Sequence, residues 1–209
     1  LAYNDQSGII DCVGGVRDIE NKIIRCVGDP EKRFREDALR MMRAVRFSVV
    51  LGFEIEQNTA AAIKKCAILI KKISAERIRE EIEKILRSEN PGGIIKLHEL
   101  GLLQYIIPEL DICFSVPQKN KYHIYNVGEH IIHATAESAD DITIRWAALL
   151  HDIGKPLCKS VDQNGIIHFY GHHRESVRLA DDILHRLRLD NESRKNILLL
   201  IENHDIRID

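Results

Sequence analysis

Nine of the ten histidines lie beyond residue 120, and one of them is followed directly by a carboxylate: His151-Asp152, in the run Trp146-Ala-Ala-Leu-Leu-His-Asp-Ile-Gly-Lys155. Imidazole and carboxylate together suit a divalent transition metal or magnesium better than calcium, which prefers oxygen ligands alone. At a helix terminus two adjacent side chains point in different directions, yet both reach one cation where the chain turns. Further candidates are His130 and His133 before the dipeptide, His172 and His173 after Gly171, and His204-Asp205 near the end. Each alone reads as a surface or satisfied core histidine; the combination points to a metal centre.

A second constellation is Arg33-Phe-Arg-Glu36-Asp37-Ala-Leu-Arg40-Met-Met-Arg43-Ala-Val-Arg46. Spacings of three and four place Arg33, Asp37 and Arg40 on a helix face opposite the apolar stripe, with Ala44 small enough to admit a planar group. A carboxylate beside a guanidinium offers acceptors and donors together, the pattern needed to read the Watson-Crick edge of a base. The same spacing also makes intrahelical salt bridges on a wet surface, and the pattern alone does not choose between the two.

The elements that must position these residues follow from apolar periodicity. Gly8-Ile-Ile-Asp-Cys-Val and Lys22-Ile-Ile-Arg-Cys-Val, separated by Gly14-Gly15, read as two strands and a turn, too little sheet to fold alone. From Glu31 the period becomes helical: Phe34, Ala38, Met41, Met42, Val45 and Val49 form one stripe, and Gly52 supplies a stop. Helices are expected over about 31–50, 58–72 and 75–88, with another near 91–100 opened by Asn90 as cap and Pro91 at the first position. Pro108 and Pro117 frame a loop whose polar segment Gln118-Lys-Asn-Lys121 marks the internal boundary. Beyond it, helices are expected near 125–138, 141–153, 173–187 and 191–204, with His172 supplied by the Gly165–Gly171 connection.

Composition bounds what such a chain can be. At 209 residues with 44% hydrophobic and 30% charged side chains, it is an ordinary globular protein, neither collagen-like, low-complexity nor disulfide-stapled. Thirty basic against 32 acidic residues give a net charge of −2 and no global sign of nucleic-acid binding. Residues 29–90 hold 14 basic and 11 acidic side chains, a mild polarity that solvated helix faces explain. No apolar run nears the ~20 residues of a membrane span and no signal pattern opens the chain, so a cytoplasmic location is expected. Cys12, Cys26, Cys66, Cys113 and Cys158 are odd in number and form no C-x-x-C pair, which reads as buried reduced thiols. The first residue is Leu1, and the chain reads as a fragment of a longer one.

His130, then His151-Asp152-Ile-Gly-Lys, then Gly171-His172 and His204 in a helical frame resemble the HD superfamily of metal-dependent phosphohydrolases. The resemblance implies a divalent ion, Ni2+, Mn2+ or Mg2+, held by His130, His151 and Asp152, with a later carboxylate or further histidines, His172 and His204, completing the shell. Asp152 would serve in hydrolysis, where a metal brings the pKa of bound water near neutral. The stretch Asp29-Pro-Glu-Lys-Arg-Phe-Arg-Glu-Asp-Ala-Leu-Arg-Met-Met-Arg-Ala-Val-Arg-Phe, with Leu51-Gly-Phe-Glu-Ile and Ile73-Ser-Ala-Glu-Arg-Ile-Arg-Glu-Glu-Ile, closely resembles the neck of bacterial class II tRNA nucleotidyltransferases, the CCA-adding enzyme and poly(A) polymerase family. That family's Glu-Asp-x-x-Arg motif templates incoming CTP or ATP. Carried over by position, Asp37 and Arg40 would face the base, Glu36 would support them, and Arg40 with Arg43 would anchor the nucleotide. Asp11, Gly14-Gly15, Asp18 and Arg25 match the hinge between that family's head and neck.

The family's catalytic head carries a Gly-Gly-x-x-Arg-Asp loop, an Asp-x-Asp pair for two Mg2+ ions and an Arg-Arg-Asp motif. None is present in full, and Gly14-Gly15-Val-Arg17-Asp18 is one residue short of the first. The expected fold is mainly α: a short N-terminal β remnant of the head (1–28), a helical neck and body subdomain (29–112), and an HD-type helical domain (113–209). The expected function is that of a fragment of an enzyme adding CCA, or part of it, to tRNA 3′ ends from CTP and ATP. The alternative is a stand-alone HD phosphohydrolase acting on nucleotides or cyclic phosphates, its N-terminal helices merely structural.

Overall fold

The computed structural model describes residues 2–5, 8–118 and 125–205, and most of them are helical. The two β-branched runs near the N-terminus do not pair with each other. Instead β1 (Ala2–Asn4) and β2 (Gly8–Ile10) are antiparallel, while β3 (Ile23–Ile24) lies parallel to β4 (Glu54–Ile55). The cause is local: the Asp11 carboxylate accepts from the backbone N–H groups of Val13, Gly15 and Val16 at 3.1, 2.9 and 2.8 Å. Those bonds hold its pKa below the usual range and wrap the chain around Gly14 (φ 75°) into α1 (Gly15–Glu20) rather than a hairpin. Asp18 and Arg25, also matched to the hinge, form an ion pair at 3.1 Å.

The expected helix over 31–50 is two helices, α2 (Pro30–Glu36) and α3 (Leu39–Leu51). Asp29 caps the first, with Pro30 at its first position. At Asp37 the backbone is extended (φ −150°, ψ 105°), and its carboxylate accepts from Leu39 N–H at 3.0 Å, so this residue ends one helix and ties down the turn into the next. The apolar stripe survives the break: Phe34, Met41, Met42, Val45 and Val49 are all buried.

α4 (Gln57–Cys66), capped by the Glu56 side chain, passes into a 3-10 turn over Ala67–Lys72, and α5 (Ala75–Leu86) follows. Pro91 does open an element, but it is a 3-10 turn (Pro91–Ile94) continuing into α6 (Ile95–Glu99), and the Asn90 side chain caps nothing. After α7 (Leu103–Ile106), Pro108 starts α8 (Pro108–Cys113), where a loop was expected; proline fits a first helical turn because its missing N–H would be unpaired there anyway.

Most of the polar turn Gln118–Lys121 lies outside the described residues, and Gln118 itself is buried. α9 (Val127–Glu137) begins with a capping box in which Asn126 and Glu129 satisfy each other's backbone N–H groups. α10 (Ile142–Leu150), capped by Asp141, leads into a 3-10 turn (Lys155–Cys158), the hairpin β5 (Ser160–Val161) and β6 (Ile167–His168), then α11 (His172–Arg186) and α12 (Asn191–Glu202). One continuous apolar core runs from Phe34 to Ile201, with Trp146 among its most deeply buried side chains. Within it, buried Arg145 donates to the carbonyls of Leu86 and Ser88 at the end of α5.

All five cysteines are free, but not all are buried: Cys12 is exposed, and Cys26 and Cys158 are intermediate. Burial pushes the Cys113 thiol up to about 12. Among the described residues no helix is long and apolar enough to cross a membrane.

Candidate functional site

Asp152 follows α10 with 1% of its surface exposed, and imidazoles from four parts of the fold converge on it. His130 on α9 places Nε2 3.3 Å from Asp152 Oδ2, and His151 at the end of α10 places Nε2 3.0 Å from the same oxygen. On the other side, His172 Nε2 lies 3.1 Å and His204 Nε2 3.8 Å from Oδ1. Two sets of ligand atoms result, His130/His151/Asp152 and Asp152/His172/His204, each within 4.8 Å. His172 is the first residue of α11 rather than part of the preceding connection.

Backbone carbonyls fix how three of these rings face. His151 Nδ1 pairs with Ala148 O at 2.7 Å, His172 Nδ1 with Phe169 O at 2.9 Å, and His204 Nδ1 with Ile201 O at 2.7 Å. A neutral imidazole that donates through Nδ1 leaves the Nε2 lone pair free, the arrangement by which an outer carbonyl orients a metal-binding histidine. Three such lone pairs aimed at a carboxylate repel it unless a proton or a cation stands between. Neither Asp152 oxygen receives a well-directed hydrogen bond, although Lys155 Nζ approaches Oδ2 to 2.6 Å. Imidazole nitrogens around a buried, under-satisfied carboxylate therefore fit a divalent ion with mixed nitrogen and oxygen preference.

The electrostatics agree. Burial raises the Asp152 pKa, but contact with His130, His151 and His172 outweighs it and holds the group well below the carboxylate range. Burial lowers that of His172, yet the Asp152 carboxylate carries it above the usual histidine value. His204, buried and close to His151, is lowered.

Other candidates fall around the cluster. His133 is exposed against Tyr125, and His173 packs edge-on to His172. Asp205, a candidate from its place beside His204, joins the site, together with Lys155 and Gln118, which the sequence reading did not place there. Asp205 brings a carboxylate within 3.4 Å of His172 and 3.3 Å of His204, Lys155 neutralises Asp152, and Gln118 accepts from Lys155 at 3.1 Å. Asp205 next to His204 and Lys155 at the end of the motif were visible signals; Gln118 had none.

The arginine helix makes a separate cavity of about 260 Å3, which Arg40 and Arg43 line with Ala44 and Phe47. Its opposite wall comes from residues 24–27, positioned by the β3–β4 pairing. Glu36 and Asp37 are not among its lining residues: Glu36 pairs with Arg33 at 2.6 Å, and Asp37 pairs with Arg77 at 3.2 Å on the far side of the helix break. Burial works against the ionised form of Asp37, but Leu39 N–H and Arg77 hold its pKa below the usual range.

The chain resembles known proteins along its whole length. Residues 52–113 match the family described as the probable RNA and SrmB-binding site of polymerase A, and residues 121–209 match the HD domain. The chain is 33% identical to the A-adding tRNA nucleotidyltransferase of Deinococcus radiodurans, matching along 100% of itself and 50% of that protein. It is 32% identical to the multifunctional CCA protein of Pseudomonas aeruginosa, over 98% of itself and 51% of that protein. The chain thus spans about half the length of the curated relatives it matches. Among solved structures, the Bacillus stearothermophilus CCA-adding enzyme in complex with CTP superposes with a TM-score of 0.62 at 30% identity, covering 98% of this chain and 44% of that one.

Proposed function

Because this chain belongs to the tRNA nucleotidyltransferase family along the half of its relatives that it spans, we propose that it supplies the nucleotide-selecting neck and an HD domain to an enzyme that adds CCA, or part of it, to tRNA. In this reading residues 1–28 end the head, 29–112 form the neck and 113–209 the HD domain. The two-metal carboxylates that would clamp Mg2+ belong to a part of the enzyme this sequence does not contain. The observation that carries the proposal is the Arg40/Arg43 cavity: two exposed guanidiniums on the continuous helix α3, beside Ala44 and the Phe47 ring, in a space that admits a planar base. A fixed guanidinium presents several donors in one plane, which matches the acceptors of a cytosine or adenine edge and of a triphosphate.

Asp37 has a positioning role here. Its carboxylate holds Leu39 N–H at the start of α3 and its bond to Arg77 fixes the helix break, so Arg40 projects from the first turn of a rigid element. Glu36 acts one step further back, through its pair with Arg33, itself a wall of the cavity. Arg40→Ala is expected to weaken CTP and ATP binding about tenfold or more, while unfolding free energy changes by no more than about 0.5 kcal/mol, as for other exposed substitutions. Equilibrium dialysis with labelled CTP, run beside thermal melts, checks this. Unchanged nucleotide affinity with a collapsed melt would make Arg40 a structural residue only.

In the HD domain, Asp152 and its histidines would hold a divalent ion, Ni2+, Mn2+ or Mg2+, and bound metal would supply a water ionised near neutral pH together with charge for a phosphoryl oxygen. The chain's own contribution is to hold Nε2 atoms on rigid supports, to exclude water from Asp152 by burial, and to keep Lys155 beside it. Phosphohydrolysis of a nucleotide or cyclic phosphate would then be a second activity of the same protein, which acts in the cytoplasm on tRNA, CTP and ATP.

A further inference from the structure

Where α5, α10 and α12 meet, a cleft of about 480 Å3 shares no lining residue with the arginine cavity and contains no metal-site histidine. Arg79, Arg87 and Arg188 line it together with Trp146. Its donors outnumber their acceptors. Trp146 is 1% exposed and its indole N–H has no hydrogen-bond partner; the buried Nε–H of Arg79 has none either, the Glu83 carboxylate standing off at 3.7 Å. Buried donors of this kind are normally satisfied, so two on one cleft mark a place where an acceptor is missing. The guanidiniums of Arg87 and Arg188 form no hydrogen bond or ion pair within the described residues, and Arg87 acts only at longer range on Asp141.

The backbone adds to the same sign of charge. Thr143 in the first turn of α10 and Ser193 in the first turn of α12 both line the cleft, so two helix N-termini turn their positive ends toward it. Each terminus is capped by a carboxylate, α10 by Asp141 and α12 by Asp190, which Ser193 N–H engages at 2.9 Å, and Glu83 is the other acidic residue on the cleft wall. Arg188 occupies a left-handed position (φ 61°) after the end of α11, a conformation that favours glycine.

We infer that this cleft binds a phosphate group, through charge-assisted bonds from Arg87 and Arg188 and the indole and Arg79 donors. Planar guanidiniums recognise tetrahedral oxyanions, and they do so equally for a nucleic-acid backbone and for free pyrophosphate. The site is independent of the HD metal and of nucleotide selection on α3.

Trp146 is the only tryptophan in the chain, so its emission reports on the cleft directly. In EDTA, titration with pyrophosphate and, separately, with a short RNA duplex should give a saturable change in emission. Arg188→Gly removes a guanidinium while relaxing its backbone, and Arg87→Gln shortens the other; each should weaken binding about tenfold or more with the melting temperature retained. A response to RNA alone assigns the phosphate to a polynucleotide backbone, and a response to pyrophosphate assigns it to a free phosphate ligand. No emission change with either probe, or equal affinity in both variants and the parent, overturns the assignment.

Discussion

Asp152→Ala is expected to abolish the rise in melting temperature that a divalent ion confers. For an ion at 100 times its dissociation constant the stabilisation is about 2.7 kcal/mol, which in a chain of this size corresponds to roughly 5–10 °C. Asp152 is shared by both sets of candidate ligands, so its loss empties both at once. Comparing each protein with and without Ni2+, Mn2+ or Mg2+ separates metal binding from any intrinsic loss of stability. The shift should also depend on pH in a defined direction. In the metal-free protein His172 is raised above about 6.5 by the carboxylate beside it, so its proton stabilises the fold below that value and the contribution fades as pH rises through the folded pKa. A metal must displace that proton, and its stabilising effect should be larger at pH 8 than at pH 6. An ion-induced shift that survives in Asp152→Ala, or an absence of any shift with the parent across all three metals, would dismiss the centre.

Gly154→Ala should be strongly damaging, because the added methyl group would meet backbone rather than a side chain that can turn away. Gly154 has an ordinary φ of −79°, so its requirement is proximity rather than conformation. A methyl group there would stand 2.5 Å from His172 O and 2.5 Å from Ser176 N, both backbone atoms of the first turns of α11. Gly154 N–H also donates to the Ser176 hydroxyl at 2.9 Å, binding the turn after Asp152 to the helix that carries His172. Relieving the clash means moving α11, and overpacking of this kind costs about 1–3 kcal/mol. Because His172 moves with the helix, the metal-induced shift should shrink in parallel. Thermal melts with and without metal check both effects, and an unaltered response in each would mean that α11 does not rest on this turn.

What could be read from the sequence followed the range of the causes. Periodic apolar residues located α3, α5, α9, α10, α11 and α12 because each buries one stripe in a shared core, and His151-Asp152 announced its chemistry by residue type alone. The break at Asp37 was hidden because Glu-Asp-Ala-Leu continues a helical pattern, while the deciding interactions come from its own carboxylate on Leu39 N–H and from Arg77, forty residues away. Pro108 was ambiguous for the opposite reason, since proline breaks a helix and also begins one. The separation of Glu36 and Asp37 from the Arg40 cavity, and the joining of residues 79, 87, 146 and 188 in one cleft, depend on tertiary packing that no local spacing encodes.

Arg145 carries a consequence for how the molecule comes apart. Its guanidinium, seated among buried side chains of the HD-matched segment, donates through one terminal nitrogen to the carbonyls of Leu86 and Ser88 in the RNA-binding-matched segment and pairs with Asp140 at 3.0 Å. Pulling the two segments apart would take the donor from those carbonyls and would expose a core continuous from Phe34 to Ile201. The sequence boundary between the two matches is thus not a plane of cleavage in the free-energy sense. The segments should therefore behave as one cooperative foldon, with slow hydrogen exchange at α5 and at α10 governed by the same opening event, and a ligand gripping either segment should protect both.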